Sequence, residues 1–263
     1  MKVGGPARLL ALVVLAAVGA GAVAQQAPLL TVLPREEQAR RWEQRADLRM
    51  LQKRYLEGIG LYQRALALQP RDPILLNKLG IAHQWLVGID PANFKKARNF
   101  YESATRADPG YAHPWNNLGT LYYGRKDYKK AIKCYQRALK VAPAQPAFHS
   151  NLGTALFARK RYVEALEEYR VALLLDPEVF EHRSPFGVIL QEQSVEDRAR
   201  YHFMLAKGFA SLGYMEKSLA YLRRALEDGF SPVEAQGDPV FALLRDDPRF
   251  QALFAEQPTV IPR

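Results

Sequence analysis

The residues Asn117-Leu118-Gly119-Thr120 return as Asn151-Leu152-Gly153-Thr154, 34 positions further along the chain. The interval holds in the flanks. Tyr128 returns as Tyr162, Ala131 as Ala165, Tyr135 as Tyr169, Ala138 as Ala172 and Pro143 as Pro177, while Trp115 is answered by His149. A fixed period of this length points to stacked copies of one supersecondary unit rather than a single closed domain.

Within the unit from Ala112 to Pro143, Trp115, Leu118, Gly119 and Tyr122 fall at i, i+3, i+4 and i+7, one stripe of a first helix. Tyr128, Ala131, Tyr135 and Ala138 do the same on a second helix. The link Gly124-Arg125-Lys126-Asp127 is short enough to force an antiparallel hairpin. Gly119 costs about 1 kcal/mol of helix propensity against alanine, so close approach of the second helix, where Ala131 is also small, is its expected reason. Pro143 stops the second helix, because proline lacks the donor and clashes one turn back.

Trp115, Leu118, Gly119, Tyr122, Ala131, Tyr135 and Pro143 stand at the spacing of the tetratricopeptide repeat, and the unit from Pro146 resembles that repeat again, with His149 in place of the tryptophan. The resemblance implies an all-α fold, a right-handed solenoid of antiparallel helical hairpins. Weaker copies extend it. Leu79-Gly80, Phe94, Ala97, Tyr101, Ala104 and Pro109 fit with an insertion near Val87 to Pro91, and Trp42, Tyr55, Gly58, Tyr62, Ala65 and Pro70 fit with Arg45-Ala46 replacing Leu-Gly. The expected division is a signal peptide at 1–24, a linker at 25–38, a degenerate repeat at 39–72, and a repeat with insertion at 73–111. Regular repeats follow at 112–145 and 146–179, then an irregular connector at 180–194, a degenerate repeat at 195–232, and two capping helices with a tail over 233–263. Such caps are expected because a terminal unit has no neighbour to cover it.

At the amino terminus, Lys2 and Arg8 precede an apolar run and then small residues ending Ala22-Val23-Ala24, the layout of a secretory signal cleaved after Ala24. The alternative is a retained anchor, although Leu9 to Ala24 falls short of the roughly 20 residues that a spanning helix needs. The expectation is export, to a bacterial periplasm or cell envelope. Residues 25–263 keep 35 lysines and arginines against 27 acids, a net charge of +8 that favours anionic partners. Cys134 is the only cysteine and cannot form an internal disulfide.

In the family, the inner face of the superhelix is lined mainly by first helices. The stripe opposite the packing stripe is His113, Asn116, Asn117, Thr120, Tyr123 and Gly124 in the best unit, and Ser150, Asn151, Thr154, Phe157 and Ala158 in the next; the preceding unit offers Asn77, Lys78 and Ile81. Asn117 and Asn151 precede the Leu-Gly pairs, and a carboxamide can donate to and accept from one peptide unit. They resemble the asparagine ladder by which some members hold an extended peptide. The expected partner is therefore a protein segment in the groove. The clamp by which other members grip a terminal carboxylate expects lysine where this chain has Asn77 and Asn116.

Basic clusters at Lys95-Lys96, Lys129-Lys130-Lys133, Arg159-Lys160-Arg161 and Arg223-Arg224 are expected on the convex side or the rim, as a solvated surface or a contact for anionic lipid, glycan or acidic protein. Nucleic acid is not expected, since no binding motif is present. His149, His202 and His83 take aromatic packing slots, and no phosphate loop, nucleophile elbow, metal-ligand spacing or paired-cysteine motif occurs, so neither catalysis nor a cofactor is expected. Oligomeric state is left open.

Overall fold

Aspartate, serine and proline punctuate the helices of this chain, and each sits where its chemistry requires. Asp72 accepts from the amides of Ile74 and Leu75, Asp127 from that of Lys130 and Ser194 from that of Asp197, while Pro73 and Pro146 occupy first turns, where no donor is missed. The structure, a computed structural model, describes residues 33–181 and 194–255. The helices are α1 Arg35–Leu51, α2 Tyr55–Leu68, α3 Pro73–Trp85, α4 Ala92–Ala107, α5 His113–Gly124, α6 Tyr128–Val141, α7 Pro146–Ala158, α8 Tyr162–Leu175, α9 Val195–Ser211 and α10 Met215–Glu227. Among the described residues no helix is long and apolar enough to cross a membrane.

Each odd-numbered helix packs chiefly on the helix that follows it, giving five hairpins, and each second helix meets the first helix of the next hairpin. First helices also touch along an inner row, α3 with α5 and α5 with α7. This is a solenoid of helical hairpins. The chain ends in α11 Pro232–Gly237, a 3-10 segment Pro239–Leu244 and α12 Pro248–Ala255, opened by Ser231, Asp238 and Asp247, whose side chains accept from Glu234, Val240 and Arg249 amides. Phe241 and Phe250 from these pieces are buried in the core that runs on from α6 through α10.

Two boundaries differ from the sequence reading. Helix α1 starts at Arg35, inside the stretch 25–38 read as linker, because Glu36 and Glu37 suit a helix's first turn and Ala39 is already buried against the first hairpin. The cap consists of three short elements rather than two helices, since Asp238-Pro239 tightens into a 3-10 turn of its own. The signal peptide (1–24), most of the connector (180–194) and the tail after 255 lie outside the described residues.

The repeated glycine has a sharper reason than a small residue opposite it. A Cβ on Gly80, Gly119 or Gly153 would stand 2.4, 2.5 or 2.6 Å from the ring of Tyr101, Tyr135 or Tyr169 respectively. The partner is thus the tyrosine one turn beyond Ala131, and its ring occupies the space a side chain would need. All three tyrosines are almost fully buried. The fifth hairpin, which lacks the glycine, has Ala206 at that position and Leu222 at the tyrosine position, both fully buried.

The hairpin turns repeat as well. The amide of Arg54, Asp127, Arg161 or Tyr214 donates to the carbonyl of Arg49, Tyr122, Leu156 or Phe209, at 2.8 to 3.0 Å, which closes a Schellman-type helix end. The residue before each donor is left-handed: Lys53 (φ 58°), Lys126 (φ 60°), Lys160 (φ 58°) and Gly213 (φ 81°). Only the last is a glycine, the residue that adopts this region without cost.

Two outcomes test this packing. Gly119→Ala and Tyr135→Leu should each destabilise the chain by about 2 kcal/mol through overpacking or lost volume, whereas the double variant should cost at least about 1 kcal/mol less than the two together; additive losses in urea denaturation would show that the two residues do not meet. Lys126→Gly and Lys160→Gly should each stabilise by about 0.5–1 kcal/mol by relieving the left-handed lysine, read as a raised denaturation midpoint.

Candidate functional site

The inner row is held together by a repeated polar rung. Numbered by the repeat, the residue before the Leu-Gly pair of one first helix reaches the residue two before that pair on the preceding first helix. Asn117 Nδ2 donates to Asn77 Oδ1 at 3.0 Å, and Asn151 Nδ2 donates to Asn116 Oδ1 at 2.8 Å. At the amino end the rung is ionic: Lys78 Nζ lies 2.7 Å from Glu43 Oε1 and 2.7 Å from Asp47 Oδ2. At the carboxyl end the residue before the pair is apolar, the buried Met204. Burial opposes the charge on Lys78, but its bonds to Asp47 and Glu43 outweigh that and raise its pKa.

The amide rungs join. Asn116 Nδ2 points to Asn117 Oδ1 at 3.4 Å and Asn77 Nδ2 to the Tyr111 hydroxyl at 3.3 Å, so a donor chain runs from Asn151 through Asn116, Asn117 and Asn77 to Tyr111. Every dipole in it points the same way, an arrangement in which each bond polarises the next.

This corrects the reading of Asn77, Asn116, Asn117 and Asn151 as open groove residues. All four are at most 5% exposed and lie between first helices. The reason is the property that made them attractive: an amide that both donates and accepts can be satisfied by the next amide as well as by a peptide. Thr120 and Thr154 are also turned inward. Thr120 Oγ1 lies 3.2 Å from the Tyr135 hydroxyl, and the Tyr169 hydroxyl donates to Thr154 Oγ1 at 3.4 Å. The Asn-Leu-Gly-Thr word is therefore a packing unit in which asparagine bonds the neighbouring repeat, leucine fills the core, glycine admits the tyrosine ring and threonine meets that ring's hydroxyl. Phe157 is likewise buried, with the rings of Tyr162 and Tyr201 at 5.3 and 6.0 Å.

Of the stripe, Lys78, Ile81, His113, Thr120, Tyr123 and Ala158 stay half-buried, joined by Tyr111 and Tyr201, which the stripe did not include. His113 sits between Tyr111 (5.4 Å) and Phe148 (5.5 Å), and burial lowers its pKa. Tyr123 packs on Tyr128 at 5.2 Å, and burial holds its hydroxyl protonated. Glu43 and Asp47 were legible in principle, since they occupy the repeat positions of Asn116 and Thr120.

Three other histidines have structural partners. His149 Nδ1 meets Glu168 at 2.7 Å and its Nε2 meets the Pro143 carbonyl at 2.8 Å; His202 meets Asp228 at 2.8 Å; His83 meets Asn93 at 2.7 Å. Burial pushes the Cys134 thiol up to about 11. Among the described residues no three His, Cys, Asp or Glu side chains cluster to hold a metal ion.

A family model for the tetratricopeptide repeat matches residues 116–179, the third and fourth hairpins. Residues 116–179 belong to the tetratricopeptide-repeat family. The solved structure of pilF from Pseudomonas aeruginosa shares this repeat protein's fold at 16% identity, with a TM-score of 0.53 over 83% of this chain and 90% of that one. MamA from Desulfovibrio magneticus does so at 16% identity, with a TM-score of 0.50 over 74% and 96%. Among curated proteins, the HSC co-chaperone sgt12 of Aspergillus fumigatus is 33% identical over 79 residues, which are 30% of this chain and 22% of that relative. The repeat protein thus spans about a fifth of that relative's length.

If the asparagines are structural, Asn116→Ala should destabilise the protein by about 1–3 kcal/mol, because it strands the buried Asn151 amide. A change below about 0.5 kcal/mol in chemical denaturation, the usual effect at a surface position, would return Asn116 to an open groove.

Proposed function

We propose that the repeat protein is an adaptor that holds a segment of a partner protein along the inner face of its first helices. The observation that carries this reading is the row of half-buried side chains, Tyr111, His113, Thr120 and Tyr123, on and beside α5. Their backs are fixed by the amide chain and by neighbouring rings, which leaves aromatic edges and hydroxyls held in place before a ligand arrives. Preorganised aromatic contacts of this kind lose little side-chain entropy on binding. Lys78, neutralised by Glu43 and Asp47, contributes its stem rather than a free charge.

Family membership supports protein binding as the activity, because repeat scaffolds bury their chemistry and offer extended surfaces. The curated relative is described as a co-chaperone, in keeping with such a role. Recognition by an asparagine ladder is replaced by recognition through the aromatic row, since the amides are already engaged. Export through residues 1–24 to a bacterial envelope belongs to the same proposal and rests on the sequence layout of that segment.

A photo-crosslinking amino acid placed at Tyr123 tests the reading against one placed at Gln136, an exposed position on α6. In extracts of the source cells, a discrete protein adduct should form from position 123 and not from 136. Adducts from 136 alone, or from neither position, would remove the inner face as the binding site.

A further inference from the structure

The turns that join first to second helices emerge on one edge of a hairpin stack, and in this protein that edge has an unusual composition. It is continuous across three hairpins: the Tyr55 ring stacks on Trp85 at 6.0 Å, Phe94 meets Tyr122 at 6.0 Å, and Arg125 lies over Phe94 at 5.1 Å. Apolar side chains stand out from it. Leu51 is 82% exposed, Leu56 75%, Trp85 59% and Ile89 77%. They sit at the α1–α2 and α3–α4 turns with no concavity of the inner row around them.

Beside these tips lies the protein's excess charge. Residues 92–141 hold eleven lysines and arginines against three acids, whereas the rest of 25–263 holds twenty-four of each. The whole net charge of +8 therefore belongs to the stretch α4–α6. Lys95-Lys96 open α4 and Lys129-Lys130 open α6, at equivalent repeat positions next to the same turns, and all four are exposed. Lys130 pairs with Asp127 at 2.8 Å; Lys95, Lys96 and Lys129 make no ion pair among the described residues.

We propose that this edge docks on an anionic phospholipid surface. Isolated apolar tips can enter the headgroup region singly, and an exposed tryptophan favours that boundary because its ring is apolar and its N–H is polar. Lysines flank the tips, and their stems let the ammonium groups reach upward to phosphates as the tips descend. The charge carriers nearest the turns are mostly lysines, point charges suited to a diffuse field, whereas recognition of a single carboxylate or phosphate favours the arginine fork. An acidic protein segment would want a groove, whereas these side chains stand out from the surface. Each lysine near such a surface strengthens partitioning by about fivefold.

The test uses the full chain and vesicles of phosphatidylcholine alone or with equimolar phosphatidylglycerol. Sedimentation should show at least tenfold stronger binding to the anionic vesicles, falling steeply near 1 M salt, where screening acts over about 3 Å. The triple variant Lys95→Glu, Lys96→Glu, Lys129→Glu should lose the anionic preference, and its milder Lys→Gln counterpart should lose most of it. Trp85→Ser with Leu56→Ser should weaken binding at least tenfold. The emission of the wild type should shift to the blue on anionic vesicles, and Trp85→Phe should abolish the shift. Equal binding to both compositions, an anionic preference kept by both lysine variants, or an unmoved emission would overturn the proposal. Capture of soluble polyglutamate without vesicle preference would overturn it in favour of an acidic protein. None of these variants touches Tyr123, so this result and that of the inner-face crosslink are independent.

Discussion

The two helices of a repeat can come only as close as the residues between them permit, and the contact of a tyrosine ring with a glycine backbone sets that distance here. Gly80, Gly119 and Gly153 each receive a ring so near that even a methyl group would collide with it. Burying a tyrosine in this way removes a large apolar face from water but strands a hydroxyl, and the polar partner comes from the facing first helix: Gln84 for Tyr101, Thr120 for Tyr135, Thr154 for Tyr169. The hairpin spacing, in turn, brings successive first helices close enough for side-chain amides to bond across them. The tight turns, left-handed at lysine or glycine, are the means by which helices that close together are joined in three residues.

From that spacing follows a division of labour between the sides of the solenoid. The inner row is neutral where it is amide-bonded, around α5 and α7, and carries one lysine against two carboxylates where it is ionic, so the half-buried aromatic residues on and beside α5 lie next to the neutral part. Charge is displaced outward to the second helices and turns, where water solvates it. The same displacement puts apolar and basic side chains together on the turn edge, since neither type is needed inside. Two faces with different chemistry can then serve two different contacts on one rigid scaffold.

Much of this was legible in the chain. The period of 34 places the hairpins, the proline and aspartate punctuation places their ends, and the packing stripe names the buried Leu118, Ala131, Tyr135 and Ala138. The histidines that replace aromatic residues, His149 and His202, have carboxylate partners in keeping with their reading as packing positions. The polar residues opposite the packing stripe were less legible. Asn116, Asn117, Asn151 and Thr154 have no hydrophobic signature, and one helix viewed alone offers them only solvent or a ligand. The glycine was understood as a need for space, while the occupant of that space, Tyr135 rather than Ala131, depends on how the second helix is rotated.

The sequence by itself determined that this protein is a stack of helical hairpins, because periodicity, breakers and small residues act through local geometry and recur with the unit. The tertiary structure decided which polar side chains are consumed and which remain available. That outcome depends on the offset between one repeat and the next, which lets the amide of Asn151 reach Asn116 and that of Asn117 reach Asn77. A hydrogen bond is satisfied by whichever partner lies within about 3 Å, and a distance of that kind between residues 35 or 40 positions apart is a property of the folded stack.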